Sequence, residues 1–488
     1  MLVDQIAEFL GTIGERPVAA AGTPREMRTR IGDDGLPEHG ADATTIVRQA
    51  AELLFDNSTL NGHPRFFGYI TSSASPIGAL ADLLAASVNA NCGAWALSPM
   101  ASEIELQTIR WIATFVGYDP SCGGILVSGG NMANIVCLIA ALRAKAAVDV
   151  RAHGLAATDR LAVYASEEVH TWLQKGADIC GLGVDAVRAI EVDDSRAMKV
   201  ESLVRRIAED RANGWRPAVV VGTAGSVSTG AIDPLPELAS LCAAESLWFH
   251  VDGAYGAPAA ALDDAPAPLR AMRLADSVAV DPHKWLYAPL EAGCALVRDR
   301  DALHNAFSFH PPYYTFDGDA QDPPTNFHEW GPQNSRGFRA LKVWMTMRQA
   351  GRQGHVKMIA DDIALSRELH RLVSEHDELE PLTQALSITT YRYVPPDLRE
   401  RRHEKSTVEY LNQLNTALLA KLQQDGTVYL SNAVIGPVFA LRACIVNFRT
   451  TSADVQMLVD ASIAAGRSLD AALRATVSAG SPAPTAKR

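Results

Sequence analysis

Asp252 and Lys284 stand 32 residues apart, each just past a short apolar run. Residues 247–251 lead into D-G-A-Y-G, and residues 277–280 lead into D-P-H-K-W-L-Y. An acid and an amine at neighbouring strand ends can grip opposite sides of one cationic aromatic ring. The amine condenses with an aldehyde, and the carboxylate keeps a ring nitrogen protonated. Taken alone, the pair also suits a structural ion pair or a magnesium site. Upstream, G-G-I-L-V-S-G-G-N-M-A-N (123–134) reads as a strand over 125–127, a turn of small residues at Ser128, Gly129, Gly130 and Asn131, and a helix from about Ala133. Such a turn offers backbone N–H groups and a helix dipole to a phosphate. No Gly-Lys-Ser/Thr follows, so it is not a Walker A loop.

These residues need a sheet to bring them together, and the chain alternates strand and helix as an α/β doubly wound sheet demands. Strands are expected over 161–164, 187–192, 218–221, 247–251, 277–280 and 292–297. His170 is expected on the first turn of the helix after 161–164, and Thr223 and Ser226 lie in a hydroxyl-rich segment just past 218–221. With the glycine turn, the Asp252 strand end and Lys284 taken together, pyridoxal 5′-phosphate is the ligand that fits best.

The 488 residues carry 44 Lys and Arg against 56 Asp and Glu, net −12. That balance favours a small-molecule partner over nucleic acid or an anionic membrane. Seven cysteines without a C-x-x-C pair support neither a disulfide framework nor a zinc ribbon, and the expected metal content is none. The composition suits a reducing, cytoplasmic setting, with no signal peptide and no apolar run of membrane-spanning length. Four segments are expected. Residues 1–75 form an N-terminal segment whose first helix has Leu2, Ile6, Phe9 and Leu10 on one face and needs a partner surface. Residues 76–345 form a large cofactor-binding domain, 346–476 a small α+β domain with strands over 388–394, 428–431 and 440–448, and 477–488 a disordered tail. The proline-rich stretch 306–336 reads as a lid or pocket edge.

In order along the chain stand H-P-R-F-F, W-A-L-S-P-M-A-S-E-I-E, S-G-G-N-M-A-N, S-E-E-V-H, H-V-D-G-A-Y-G, D-P-H-K-W and S-R-G-F-R-A-L-K-V-W. Through these the sequence, from about residue 2 to 470, resembles the group II pyridoxal-phosphate-dependent amino-acid decarboxylases, which include the aromatic-L-amino-acid and, more distantly, the glutamate decarboxylases. The resemblance implies a type I, aspartate-aminotransferase-like fold with a mixed, mostly parallel central sheet. It also implies a homodimer with shared active sites and an N-terminal segment wrapped on the partner. It makes Lys284 the Schiff-base lysine and Asp252 the partner of the ring nitrogen. Ala254 lies beneath the ring, His170 stacks on its other face, and Gly129, Gly130, Asn131 and His283 hold the phosphate. The family often places Thr or Ser near Ala224; here Thr223 or Ser226 must serve.

Tyr313 aligns with the loop tyrosine that delivers a proton after CO2 is lost, with Tyr314 as the adjacent alternative. The W-A-L-S-P segment is closer to the aromatic branch, and Phe66, Phe67, Tyr69 and Trp95, with His283, supply a substrate pocket. Asn91 and Gly93 fall where that branch tends to carry bulkier apolar residues. The expected reaction is decarboxylation of an aromatic L-amino acid to its amine. The alternatives are an acidic substrate, an aldehyde synthase, an aminotransferase and a non-catalytic cofactor-binding protein. The resemblance ties aldehyde synthesis to phenylalanine in place of the loop tyrosine.

Overall fold

Short runs of β-branched and small residues, apolar on both faces, form a sheet covered on both sides. Its strands are β1 (Gly123–Val127), β2 (Arg160–Ser166), β3 (Val187–Ile190), β4 (Trp215–Thr223), β5 (Trp248–Asp252), β6 (Ser277–Val280) and β7 (Gly293–Val297), in the order β1-β7-β6-β5-β4-β2-β3. The pairings β3-β2, β2-β4, β4-β5 and β5-β6 are parallel, whereas β7 runs against both β6 and β1. Two reversals restore direction, so β1, β2, β4, β5 and β6 all end at one edge of the sheet. The computed structural model describes residues 1–20, 22–32, 35–309 and 323–478; Tyr313, Tyr314 and residues 479–488 of the expected tail lie outside them.

The chain divides into two compact units, Ala74–Ala360 and Met1–Ser73 together with Asp361–Arg488. In the first, register places Asp252 opposite Thr223 on β4 and Ala279 on β6. Helix Gly130–Lys145 buries ten of its residues and has almost no polar face, so it packs as an interior element against the sheet. It starts three residues earlier than the sequence suggests. Gly129, at φ +87°, turns the chain out of β1, and Ala133 N–H already bonds to Gly129 C=O at 3.1 Å. His170 is not on a helical turn: the next helix is Trp172–Ile179, and His170 lies in the loop before it.

The second unit holds an antiparallel sheet of β8 (Leu379–Ala385), β9 (Ile388–Tyr393), β10 (Ser431–Ile435) and β11 (Val438–Cys444), ordered β10-β11-β9-β8. Its core gathers Phe67, Tyr391, Leu414, Leu441 and Val455. The strand expected over 428–431 lies further on. Residues 428–430 are held by the segment around Phe66, with Phe67 N–H on Tyr429 C=O at 2.7 Å and Tyr429 N–H on Arg65 C=O at 3.1 Å.

Candidate active site

The strand-end residues converge as the topology requires. Asp252, 8% exposed, is the last residue of β5. Its Oδ2 accepts from Trp172 Nε1 at 2.7 Å and its Oδ1 from Ala254 N–H at 3.2 Å, so both oxygens are oriented. Four residues beyond β6, Lys284 Nζ lies 3.1 Å from Oδ2 of the buried Asp281. Burial pulls the His170 pKa below its ordinary value. The charge of Asp252 opposes that shift and Lys284 adds to it, which places all three side chains in one electrostatic neighbourhood. His170 is exposed over its surface as a whole, and its Nδ1 accepts from Trp172 N–H at 3.2 Å. Its proton when neutral is therefore on Nε2.

At the same edge, helix Gly130–Lys145 begins without a side-chain cap. The N–H groups of Gly130, Asn131 and Met132 precede its first intrahelical bond and point out of the helix start. The turn is tightly seated: a Cβ on Gly293 would meet the Gly129 carbonyl at 2.3 Å, and one on Gly130 would meet Asp281 Oδ2 at 2.5 Å. His283 Nδ1 sits between the C=O and N–H of Ala292 at 2.9 and 3.2 Å, and 3.4 Å from Asp281 Oδ1. Burial lowers its pKa, with Asp281 opposing. Among the described residues, three polar atoms near these strand ends are buried without a hydrogen bond, Ser166 Oγ, Thr223 Oγ1 and Asp281 Oδ1. Unfilled acceptors and donors, a free helix start, an oriented carboxylate and a lysine amine fit the phosphate, ring nitrogen and aldehyde of pyridoxal phosphate.

The other expected residues are placed as follows. Thr223 ends β4 with its N–H on Asp233 Oδ2 at 2.8 Å, and Ser226 Oγ pairs with Thr229 Oγ1 at 3.0 Å inside its own turn. Trp95 Nε1 donates to Glu103 at 2.9 Å and lines a cleft of about 780 Å3 with Arg110, Gly123, Arg300 and Trp330. Gly123 opens β1 whereas Gly129 follows its end, so that cleft and Lys284 sit at opposite ends of the strand. Phe66, Phe67 and Tyr69 belong to the other unit. Phe67 is fully buried in its core, Phe66 stacks on Tyr429 at 5.1 Å, and Tyr69 is 58% exposed. Asn91 Oδ1 accepts from the backbone N–H of Gly93 and Arg336 at 3.1 and 3.2 Å, and a Cβ on Gly93 would meet Asn334 C=O at 2.0 Å. Both departures from the aromatic branch thus have a local packing reason.

Sequence reasoning missed Trp172, Asp281 and the buried His250. His250 Nε2 faces Asn134 Oδ1 at 2.7 Å and its Nδ1 faces Ser277 Oγ at 2.8 Å, with its pKa pulled down to about 4 by burial. It also missed Arg442, buried in the second unit with Nε and Nη2 unbonded among the described residues. Asp281 and His250 had a signal, since both lie inside the quoted motifs; the bond of Trp172 to Asp252 and the burial of Arg442 had none.

Comparison with known proteins gives these features a family. The pyridoxal-dependent decarboxylase conserved domain matches residues 24–390. An aromatic-L-amino-acid decarboxylase of Bacillus atrophaeus is 31% identical over 458 residues, 94% of this chain and 92% of that protein. A phenylacetaldehyde synthase of Arabidopsis thaliana is 27% identical over 91% of this chain and 90% of its own length. The crystal structure of mouse CSAD in apo form superposes with a TM-score of 0.87 at 26% identity, covering 95% of this chain and 98% of that one. The fold, the residues gathered around Lys284 and the match over most of the sequence lead to one conclusion: the chain belongs to the pyridoxal-dependent decarboxylase family.

Proposed function

We propose that the cluster at the ends of β1, β5 and β6 is the active site and that it decarboxylates an aromatic L-amino acid to its amine. The chain is a pyridoxal-phosphate-dependent amino-acid decarboxylase by family. The observation that carries the site assignment is the arrangement of Asp252 at the end of β5 and Lys284 just past the adjacent parallel β6, with the uncapped start of helix Gly130–Lys145 at the same edge.

When bound, pyridoxal phosphate supplies the electron sink that lets a carboxylate leave as CO2. Lys284 would provide the amine that holds the cofactor's aldehyde. Asp252, fixed by Trp172 and Ala254, keeps negative charge against the ring nitrogen. The N–H groups from Gly130 and Asn131, the Gly129 turn and His283 would hold the phosphate, with Thr223 or Ser226 offering a hydroxyl and Ala254 a methyl contact to the cofactor. Neutral His170 would pack against the cofactor and offer its Nε2–H to the substrate carboxylate. Tyr313 is the proton donor to the carbon that loses CO2. His283, beside Asp281 at the same strand ends, is the proposed substrate-contacting residue of this unit; Trp95, at the far end of β1, and Phe67, closed in the core of the other unit, are not part of it. The aromatic preference draws support from the Bacillus relative.

The enzyme works as a cytoplasmic homodimer with shared sites, its segment 1–75 wrapped on the partner, its large domain over 76–345 and its small domain over 346–476. Helix Pro76–Val88 turns Leu80, Leu83, Leu84 and Val88 to solvent, each at least half exposed, an apolar stripe that a second subunit would cover. Among the described residues no helix is long and apolar enough to cross a membrane. The test is a panel of aromatic and acidic amino acids offered to the cofactor-loaded protein, with CO2, amine, ammonia and peroxide all measured. Amine and CO2 in equal amounts from an aromatic substrate are expected. Ammonia and peroxide would make it an aldehyde synthase, and turnover of acidic substrates alone would overturn the aromatic assignment.

A further inference from the structure

We infer that Trp172 is a positioning residue for cofactor capture, acting through Asp252; this rests on reading Asp252 as the partner of the ring nitrogen. Trp172 is 1% exposed, and its indole N–H reaches Asp252 Oδ2 at 2.7 Å. A buried indole needs some acceptor, so a satisfied core tryptophan is the plain alternative. Three features argue for more. First, the acceptor is the one carboxylate at the end of β5, and the bond is charge-assisted, roughly twice as strong as a neutral one. Second, an indole can only donate. At Oδ2 it favours the ionised carboxylate, the stronger acceptor, which is the form a protonated ring nitrogen requires opposite it. Third, the indole is itself braced. It packs edge-on against His250 at 5.7 Å and 83°.

That brace has a defined direction. Asn134 Nδ2 donates to Gly130 C=O at 2.9 Å, which leaves its Oδ1 to accept from His250 Nε2–H at 2.7 Å. Ser277 Oγ accepts from Trp248 Nε1 at 2.8 Å and turns its proton to His250 Nδ1 at 2.8 Å. A buried polar lattice thus connects the start of the phosphate-binding helix to the ring that supports Trp172. Ala254 N–H takes Oδ1 of Asp252, so with Trp172 on Oδ2 the carboxylate plane is fixed before the cofactor arrives. Trp172 also donates its backbone N–H to His170 Nδ1 at 3.2 Å. Changing the side chain leaves that contact in place, so the two roles separate.

The test is a double-mutant cycle on cofactor affinity. Trp172→Phe keeps an aromatic ring against His250 and the backbone bond to His170, and removes the donor. Absorbance titration with pyridoxal 5′-phosphate gives Kd for wild type, Trp172→Phe, Asp252→Ala and the double variant, with the melting temperature of each cofactor-free protein measured alongside. Trp172→Phe is expected to raise Kd about tenfold, the scale of one such bond, in wild type and to add nothing once Asp252 is gone. Trp172→His, which restores a ring N–H, is expected to recover part of the loss and serves if Trp172→Phe folds poorly. An unchanged Kd in Trp172→Phe, or the same fold-change with Asp252 absent, would overturn the inference and leave Trp172 a packing residue. If Asp252→Ala itself leaves Kd unaltered, the reading of Asp252 fails and the inference falls with it.

Discussion

Glu105→Gln should destabilise the protein by about 3–5 kcal/mol although it changes one atom, because it strands a buried guanidinium. β1 ends the sheet, and on its open side Leu126 is bonded by two side chains instead of a strand. Leu126 N–H donates to Glu105 Oε1 at 3.0 Å, and Leu126 C=O accepts from Arg336 Nη2 at 2.7 Å. Arg336 also donates from Nη1 to Glu105 Oε2 at 3.1 Å and to Cys92 C=O at 3.0 Å. The pair is 1% and 0% exposed. Glutamine keeps an acceptor for Leu126 but turns an NH2 donor toward Arg336 Nη1, so the cost joins the lost charge to a donor facing a donor.

Arg336→Met should cost about as much, plus ~1 kcal/mol for the unbonded Leu126 carbonyl. The double variant Glu105→Gln, Arg336→Met removes both charges and should cost less than either single change. Urea unfolding of the four cofactor-free proteins checks the cycle, and titration with pyridoxal phosphate should show weaker capture in the singles, since the glycine turn begins two residues beyond Leu126. Single changes below about 1 kcal/mol that add in the double would refute the reasoning.

Gly293→Ala places a Cβ 2.3 Å from the Gly129 carbonyl; it should displace the phosphate turn, cost about 1–3 kcal/mol and weaken cofactor binding, both readable from melting curves with and without cofactor. His250 is neutral when folded, with its pKa pulled to about 4 from 6.5, so the unfolded chain takes up a proton first as pH falls. Its contribution is whole above pH 6.5 and is lost as pH drops from there toward 4, roughly 2 kcal/mol by pH 5. Asp233, pushed up to about 6 by burial, works oppositely and gains stability as pH falls through 6. The check is therefore the difference between wild type and His250→Gln in urea unfolding at pH 7 and pH 5, which should narrow at the lower pH.

The parts of the site that follow from strand ends were legible in the sequence, because apolar runs stop where a sheet stops. Asp252 ends β5 and Lys284 follows the adjacent β6, close to where their flanking residues imply. Strand β8 was missed because Glu380, Pro381 and Gln384 break the apolar pattern that marks a strand. One long helix spans Ala340–Glu375 with a break in helical geometry at Gly351, φ +63°. Contacts between distant segments were not legible. W-A-L-S-P-M-A-S-E-I-E and S-R-G-F-R-A-L-K-V-W stand 231 residues apart at Glu105 and Arg336, and only folding shows that each supplies half of one buried ion pair. Trp172 on Asp252 is hidden for the same reason: apolar patterning locates a core tryptophan but not its acceptor.

The central claim is that Lys284 holds the cofactor, and borohydride trapping tests it most directly. The cofactor-loaded protein is reduced, digested and mapped by mass spectrometry. The account predicts one phosphopyridoxyl modification, on the peptide carrying Lys284, and none in Lys284→Ala. Modification at another lysine in the wild type, or an undiminished yield in Lys284→Ala, would contradict it.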